Sequence, residues 1–259
     1  WTAVEVQCAE LLSKHRVNAT PPPGSLDPEA LPDGSFRIPA EKINAFREFA
    51  DRFHVNACSV PHPRRWIKDP EEERDKLHAW LAAFDRAIEE IARPEITFFI
   101  YLRDEPNDPE AYNYVRLWGR AIREATSKVQ VMVVEQTWAQ EDRWGDLYGA
   151  VDIWCPLFSL FKPKSAAARQ KLGEEIWTYT ALCQRARTPW WHTDYPLLNY
   201  RVPSWIAWSH DIRGLLYWGG MSYWQGVDDP WTDPKTLDRR SGASGAKGAL
   251  FNGEGVLVY

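Results

Sequence analysis

Apolar positions along the chain switch repeatedly between a 3.6-residue spacing and short continuous runs, which predicts helices alternating with buried strands. Residues 3–14 carry apolar positions at helical spacing. RVNAT follows as a short β-type run and stops at Pro21-Pro22-Pro23-Gly24. Residues 39–53 are amphipathic, with Pro39 placed to open a helix. HVNACSV (54–60) reads as a strand. Residues 70–92 form the clearest helical pattern, opened by Pro70 with acidic residues in its first turn. EITFFIYLRDEP is a buried strand with a polar end, and 109–126 is the next amphipathic helix. Further strands are expected near 129–135, 151–155, 175–181 and 214–219, with helices at 163–173 and 203–212.

Seven strands are thus expected, at 17–20, 54–60, 96–103, 129–135, 151–155, 175–181 and 214–219. Helices of this length between them imply parallel βαβ units. The fold class expected is α/β, a (β/α)8 TIM-type barrel whose first strand and last helix fall outside this chain. Residues 1–259 would form a single (β/α)-barrel catalytic domain, part of a longer protein. A doubly wound open sheet is the competing fold, but no Gly-rich phosphate loop follows the first strand.

Composition narrows the function. The net charge of -5 gives no basic signature for nucleic acid or an anionic membrane, and no apolar run is long enough to span a bilayer. Cys8, Cys58, Cys155 and Cys183 have no C-x-x-C spacing, and the histidines show no metal spacing, so neither metal nor cofactor is expected. Cys58 and Cys155 sit in apolar runs and read as buried thiols. The 15 tryptophans suit either a large core or stacking against the apolar faces of sugar rings.

In parallel barrels the active site lies at the C-terminal ends of the strands. There Asp104 and Glu105 stand together. Adjacent carboxylates repel, which favours one protonated group able to act as a general acid on a glycosidic oxygen. Neighbours in a regular strand face opposite sides, so both reach one site only where the strand breaks, and Pro106 supplies a break. The plainer reading is that Asp-Glu-Pro leads into the helix at 109 and places a carboxylate at its N-terminus. The strand at 175–181 ends in no carboxylate that could serve as a nucleophile, which points to a substrate whose own 2-acetamido group attacks. Asp104 would then hold the acetamide N–H, Glu105 would act as acid and base, and Tyr179 is the candidate partner of the acetamide oxygen.

YLRDEP, EIWTYTALCQ, PSWIAWSHDIRGLLYWG and NGEGVLVY, in that order, resemble the catalytic domain of glycoside hydrolase family 123 from about residue 95 onward. The resemblance implies a barrel, a β-N-acetylgalactosaminidase activity and an adjacent Asp-Glu pair. It gives Asp104 the acetamide-orienting role and Glu105 the acid/base role. The family's frequent β-sandwich domain before the barrel has no counterpart in this sequence.

Trp138, Trp177, Trp218 and Trp224 are candidate sugar platforms, as is Trp154, although each also suits a core. Asp194, with Tyr195 and Asn199, is a candidate binder of sugar hydroxyls. Arg64-Arg65 reads as a solvated surface pair. The expected function is a retaining, substrate-assisted release of N-acetylhexosamine, most simply β-linked N-acetylgalactosamine, from a carbohydrate partner. The alternatives are a retaining glycosidase with Asp194 or Glu135 as nucleophile, and a non-catalytic carbohydrate-binding barrel domain.

Overall fold

The computed structural model describes residues 2–181, 188–219, 229, 232, 235–237, 251–253 and 257. They fall into two compact units, Trp1–Val133 with Ala139–Ile153, and Val134–Trp138 with Trp154–Tyr259. In chain order the elements are α1 (Ala3–Lys14), β1 (Glu29–Ala30), β2 (Phe36–Arg37), α2 (Ala40–Phe53), β3 (Ala57–Val60), α3 (Arg74–Ile91), β4 (Thr97–Asp104), α4 (Pro109–Glu124), β5 (Gln130–Val134), β6 (Ile153–Trp154), α5 (Pro163–Gln170), β7 (Glu175–Tyr179), α6 (Leu198–Ser209), β8 (Gly214–Leu216), β9 (Lys235–Leu237) and β10 (Phe251–Asn252). The fold is α/β, with a six-stranded sheet in the order β3-β4-β5-β6-β7-β8.

In the first unit β3 and β4 pair in parallel, Cys58 opposite Phe98 and Val60 opposite Ile100. α3 turns Leu77, Trp80, Leu81, Phe84 and Ile91 inward, the apolar stripe that its sequence predicts. Its first turn begins at Arg74 rather than Pro70, because Asp69 accepts the amides of Glu71 and Glu72 and holds those residues in a turn. α4 is opened by Asp108, whose carboxylate accepts the Ala111 amide at 2.7 Å, with Pro109 behind it. Gly119 lets α4 approach the backbone of Ala150 so closely that an added Cβ would lie 2.1 Å from the Ala150 carbonyl oxygen.

Among the described residues six parallel strands are found where seven were expected. Residues 17–20 form no strand; instead the Asn18 amide donates to the Ala57 carbonyl at 2.8 Å and its oxygen accepts the Asn56 amide at 2.9 Å. One side chain thus takes the place of a backbone ladder. β1 and β2 form an antiparallel hairpin that the strand count omitted. Its turn, Asp33-Gly34 with Gly34 at φ +84°, is legible in the sequence as a Asp-Gly turn signal.

In the second unit β7 and β8 pair in parallel, Trp177 opposite Gly214 and Tyr179 opposite Leu216. α6 begins at Leu198, a turn before the expected 203, so Pro203 lies inside it. Proline has no amide to donate to the Asn199 carbonyl four residues back. That carbonyl accepts the Trp191 indole N–H at 3.1 Å instead, which ties the loop after β7 to the helix. Cys58 and Cys155 are buried as expected, and burial pushes the Cys58 thiol up to about 12. Cys183 lies outside the described residues.

Candidate active site

β4 ends at Asp104, and the chain turns sharply at the next residue. Glu105 has φ +38°, in the left-handed region that a side chain with a Cβ rarely adopts. The strand therefore breaks at Glu105 itself, one residue before Pro106. The bend is held by hydrogen bonds: the Asn107 amide donates to the Glu105 carbonyl at 2.7 Å, and the Gln140 amide donates to the Pro106 carbonyl at 3.2 Å. Neither Asp104 nor Glu105 caps the following helix, since Asp108 does. The plainer reading of Asp-Glu-Pro as a helix lead-in thus fails at these two residues.

Asp104 is exposed and its Oδ1 accepts the Tyr101 hydroxyl at 2.8 Å. It lines a cleft of about 480 Å³ at the C-terminal ends of β3 and β4, with Arg64 and Arg65 from the 3-10 turn after β3, Arg103 from β4 and Tyr114 from α4. Glu105 is also exposed, and it is not among the residues lining that cleft. His62 forms the cleft's inner side. Its Nδ1 accepts the Arg64 amide at 3.0 Å, which puts the ring proton on Nε2, 2.9 Å from the Tyr114 hydroxyl. Burial, reinforced by the Arg64 charge, lowers its pKa to about 4, so the imidazole is neutral at pH 7. Burial raises the Tyr114 phenol, and the Arg64 and Arg103 charges oppose that rise.

The remaining candidates lie in the second unit. Trp154 is 1% exposed and donates to Glu174 at 2.6 Å, which makes it a core residue and not a platform. Trp177 is buried against Gly214, where a Cβ would meet its ring at 2.3 Å. Tyr179 is buried at the end of β7. Trp138 is half-buried, with the Lys162 ammonium 3.3 Å above its ring. Glu135 is 2% exposed, and its Oε1 accepts the amide of Gln136 at 2.7 Å. Asp194 is exposed. Trp218 is half-buried and its ring lies 6.3 Å from that of Tyr217. Trp224 lies outside the described residues.

Sequence reasoning missed two sets of residues. In the loop after β7, Trp190 and His192 pack 4.3 Å apart beside Tyr195, which the sequence had already singled out, and Trp191 lies 5.0 Å from Tyr217. The Trp190-Trp191 pair was the available signal. Arg64 and Arg65, read as a solvated pair, are exposed but border the cleft beside Asp104. Among the described residues no group of three His, Cys, Asp or Glu side chains is placed to hold a metal ion, and no helix is long and apolar enough to cross a membrane.

Solved structures that match this chain in part include a family 123 glycoside hydrolase from Clostridium perfringens studied for glycolipid glycan hydrolysis, with 13% identity and a TM-score of 0.48 over 74% of this chain and 37% of that one. The spore cortex-lytic enzyme SleL of Bacillus megaterium matches at 11% identity and TM-score 0.40, over 84% of this chain and 67% of that one. An O-GlcNAc hydrolase mutant from Thermobaculum terrenum matches at 15% identity and TM-score 0.39, over 83% of this chain and 51% of that one. The chain thus spans only 37% of the length of the family 123 enzyme. No curated protein sequence matches it. The sequence model of the glycoside hydrolase 123 catalytic domain matches residues 59–243, from the second half of β3 through β9, and so includes the bend at Glu105. That match extends over more than half of the chain, which therefore belongs to glycoside hydrolase family 123.

Proposed function

We propose that the protein is a glycosidase that releases a terminal β-linked N-acetylhexosamine, N-acetylgalactosamine foremost, by a retaining mechanism in which the substrate's acetamide oxygen attacks the anomeric carbon. Residues 1–259 act as one catalytic domain of the (β/α)8 type. Asp104 accepts the acetamide N–H and turns its oxygen toward the anomeric carbon. Glu105 gives its proton to the departing oxygen and then takes one from the water that opens the cyclic intermediate. Tyr179 donates to the acetamide oxygen, and Trp138, Trp177, Trp218, Trp224 and Asp194 contribute to sugar binding.

One observation supports this reading above the others. The left-handed backbone at Glu105 interrupts the strand's alternation directly after Asp104 at the tip of β4, which supports a site shared by the two consecutive carboxylates. The test compares nitrophenyl β-N-acetylgalactosaminide, β-N-acetylglucosaminide and β-galactoside. Turnover of the acetamido sugars alone is expected, with inhibition by an acetamide-mimicking thiazoline. Equal cleavage of the plain galactoside refutes participation by the acetamide. Glu105→Gln should lower kcat by about 10²–10⁴ on substrates with poor leaving groups, the usual scale of general acid catalysis.

A further inference from the structure

The cleft at the tips of β3 and β4 carries more positive charge than sugar hydroxyls require. Arg64 and Arg103 both lie against the ring of Tyr114, with guanidinium carbons 5.5 and 5.9 Å from its centroid. No carboxylate among the described residues is within ion-pairing distance of either, whereas the third arginine, Arg65, is taken up by Asp27. The one carboxylate in the lining, Asp104, already accepts the Tyr101 hydroxyl. His62 adds no charge at neutral pH, because burial keeps it neutral. Among the described residues, two guanidiniums without a carboxylate partner thus line the cleft against a single carboxylate, and both lie against the same aromatic ring.

That arrangement suits one chemical class. A guanidinium is a planar fork that pairs with two oxygens of a carboxylate or sulfate at once. Stacking on Tyr114 limits the freedom that each arginine would lose on binding. Neutral hydroxyls would leave both charges without a counter-ion.

We propose that Arg64 and Arg103 form an anion subsite beside Asp104, and that the preferred glycans bear a sulfate ester or a carboxylate next to the N-acetylhexosamine being released. The sulfate would sit on the terminal sugar itself. The carboxylate would come from an adjoining uronate. The substrate class rests on the glycosidase reading; the anion subsite does not, since it can be measured by binding alone.

The experiment is isothermal titration calorimetry on the full chain with N-acetylgalactosamine, its 6-sulfate, and a disaccharide of N-acetylgalactosamine β-linked to glucuronate. At 20 mM salt at least one anionic ligand should bind tenfold or more tightly than the neutral sugar. The gain should shrink in 0.3 M salt, where charges more than a few ångströms apart are screened. An Arg64→Gln/Arg103→Gln variant, with its fold checked by circular dichroism, should lose the gain, and Arg64→Lys/Arg103→Lys should keep part of it. The arm that gains, sulfate or uronate, identifies the source of the anion. Equal binding of all three ligands, absence of binding by both anions, or a gain that survives in the Gln variant overturns the subsite. Turnover of the neutral nitrophenyl substrate by the unmodified protein tests the glycosidase reading separately, so either can fail without the other.

Discussion

Tyr101→Phe is the substitution whose effect follows most directly from the geometry. It removes one hydroxyl and keeps the ring, so packing is preserved. The lost bond is the O–H donated to Asp104 Oδ1 at 2.8 Å. A hydrogen bond to a charged acceptor contributes about 1.5–3 kcal/mol. Asp104 is exposed and Tyr101 is half-buried, so solvent screening places this one at the lower end. About 1.5 kcal/mol corresponds to roughly tenfold in kcat/KM, since 1.36 kcal/mol is a factor of ten. If Tyr101 acts by fixing the Asp104 carboxylate, the loss appears mainly in kcat on nitrophenyl β-N-acetylgalactosaminide. It also disappears when Asp104 is already Asn, because the group it orients has gone. The assay is therefore a double-mutant cycle of Tyr101→Phe, Asp104→Asn and both. A second tenfold loss from Tyr101→Phe in the Asp104→Asn background refutes the reasoning and puts Tyr101 in direct contact with substrate.

The other expectations concern the frame around the site. Gly119→Ala forces a methyl to within 2.1 Å of the Ala150 carbonyl oxygen, and overpacking of about 1–3 kcal/mol should outweigh the helix-propensity gain of about 1 kcal/mol; a melting temperature that stays level or rises contradicts the close packing. Glu174→Ala strips the buried carboxylate that accepts the Trp154 indole N–H and pairs with Arg169, and should cost about 3–5 kcal/mol in urea unfolding, with a loss under 1 kcal/mol counting against it. His62 has a pKa lowered from 6.5 to about 4, so the unfolded chain takes up its proton first; the stability His62 contributes is present above pH 6.5 and is lost as pH falls toward 4. His62→Gln should flatten that acid limb when urea midpoints at pH 7.5 and pH 5 are compared, and an unchanged slope would assign the limb to other groups. Glu105→Asn should lower kcat about as far as Glu105→Gln yet raise stability by a few tenths to about 1 kcal/mol, because Asn tolerates the left-handed conformation better; a destabilised variant would show that the Glu side chain supports the fold.

Periodicity made most of the frame legible. α1, α2 and α4 begin within a residue of where their apolar spacing and opening residues put them, and all six sheet strands overlap expected runs. Two of the failures share one cause, which is that side chains can substitute for backbone partners. Val17–Thr20 has the composition of a strand, but Asn18 bonds to both Asn56 and Ala57 through its own amide. Pro203 has the look of a helix opener, but Trp191 takes the carbonyl that Pro203 cannot use, and the helix runs on before it. A local pattern carries no record of a partner 39 residues away or of an indole from another loop.

The site was legible to a different degree. Asp104 and Glu105 stood out as adjacent carboxylates at a strand end, whereas Arg64-Arg65 looked like ordinary surface charge. Only the parallel pairing of β3 with β4 brings the turn after one strand beside the tip of the other, and with it Arg64 and Arg65 beside Arg103 and Asp104. The bend shows the same limit from the opposite side. The expected break was at Pro106, the residue with a known backbone restriction, yet the unusual dihedral belongs to Glu105. A non-glycine residue held left-handed costs about 1–2 kcal/mol. Here the Asn107 and Gln140 amides fasten the carbonyls of Glu105 and Pro106 and offset that cost. Glycine or asparagine would satisfy the same backbone with less strain. A glutamate held at this position is what the proposed acid/base role would account for, since strain of this kind is where a local sequence rule is expected to fail at a working site.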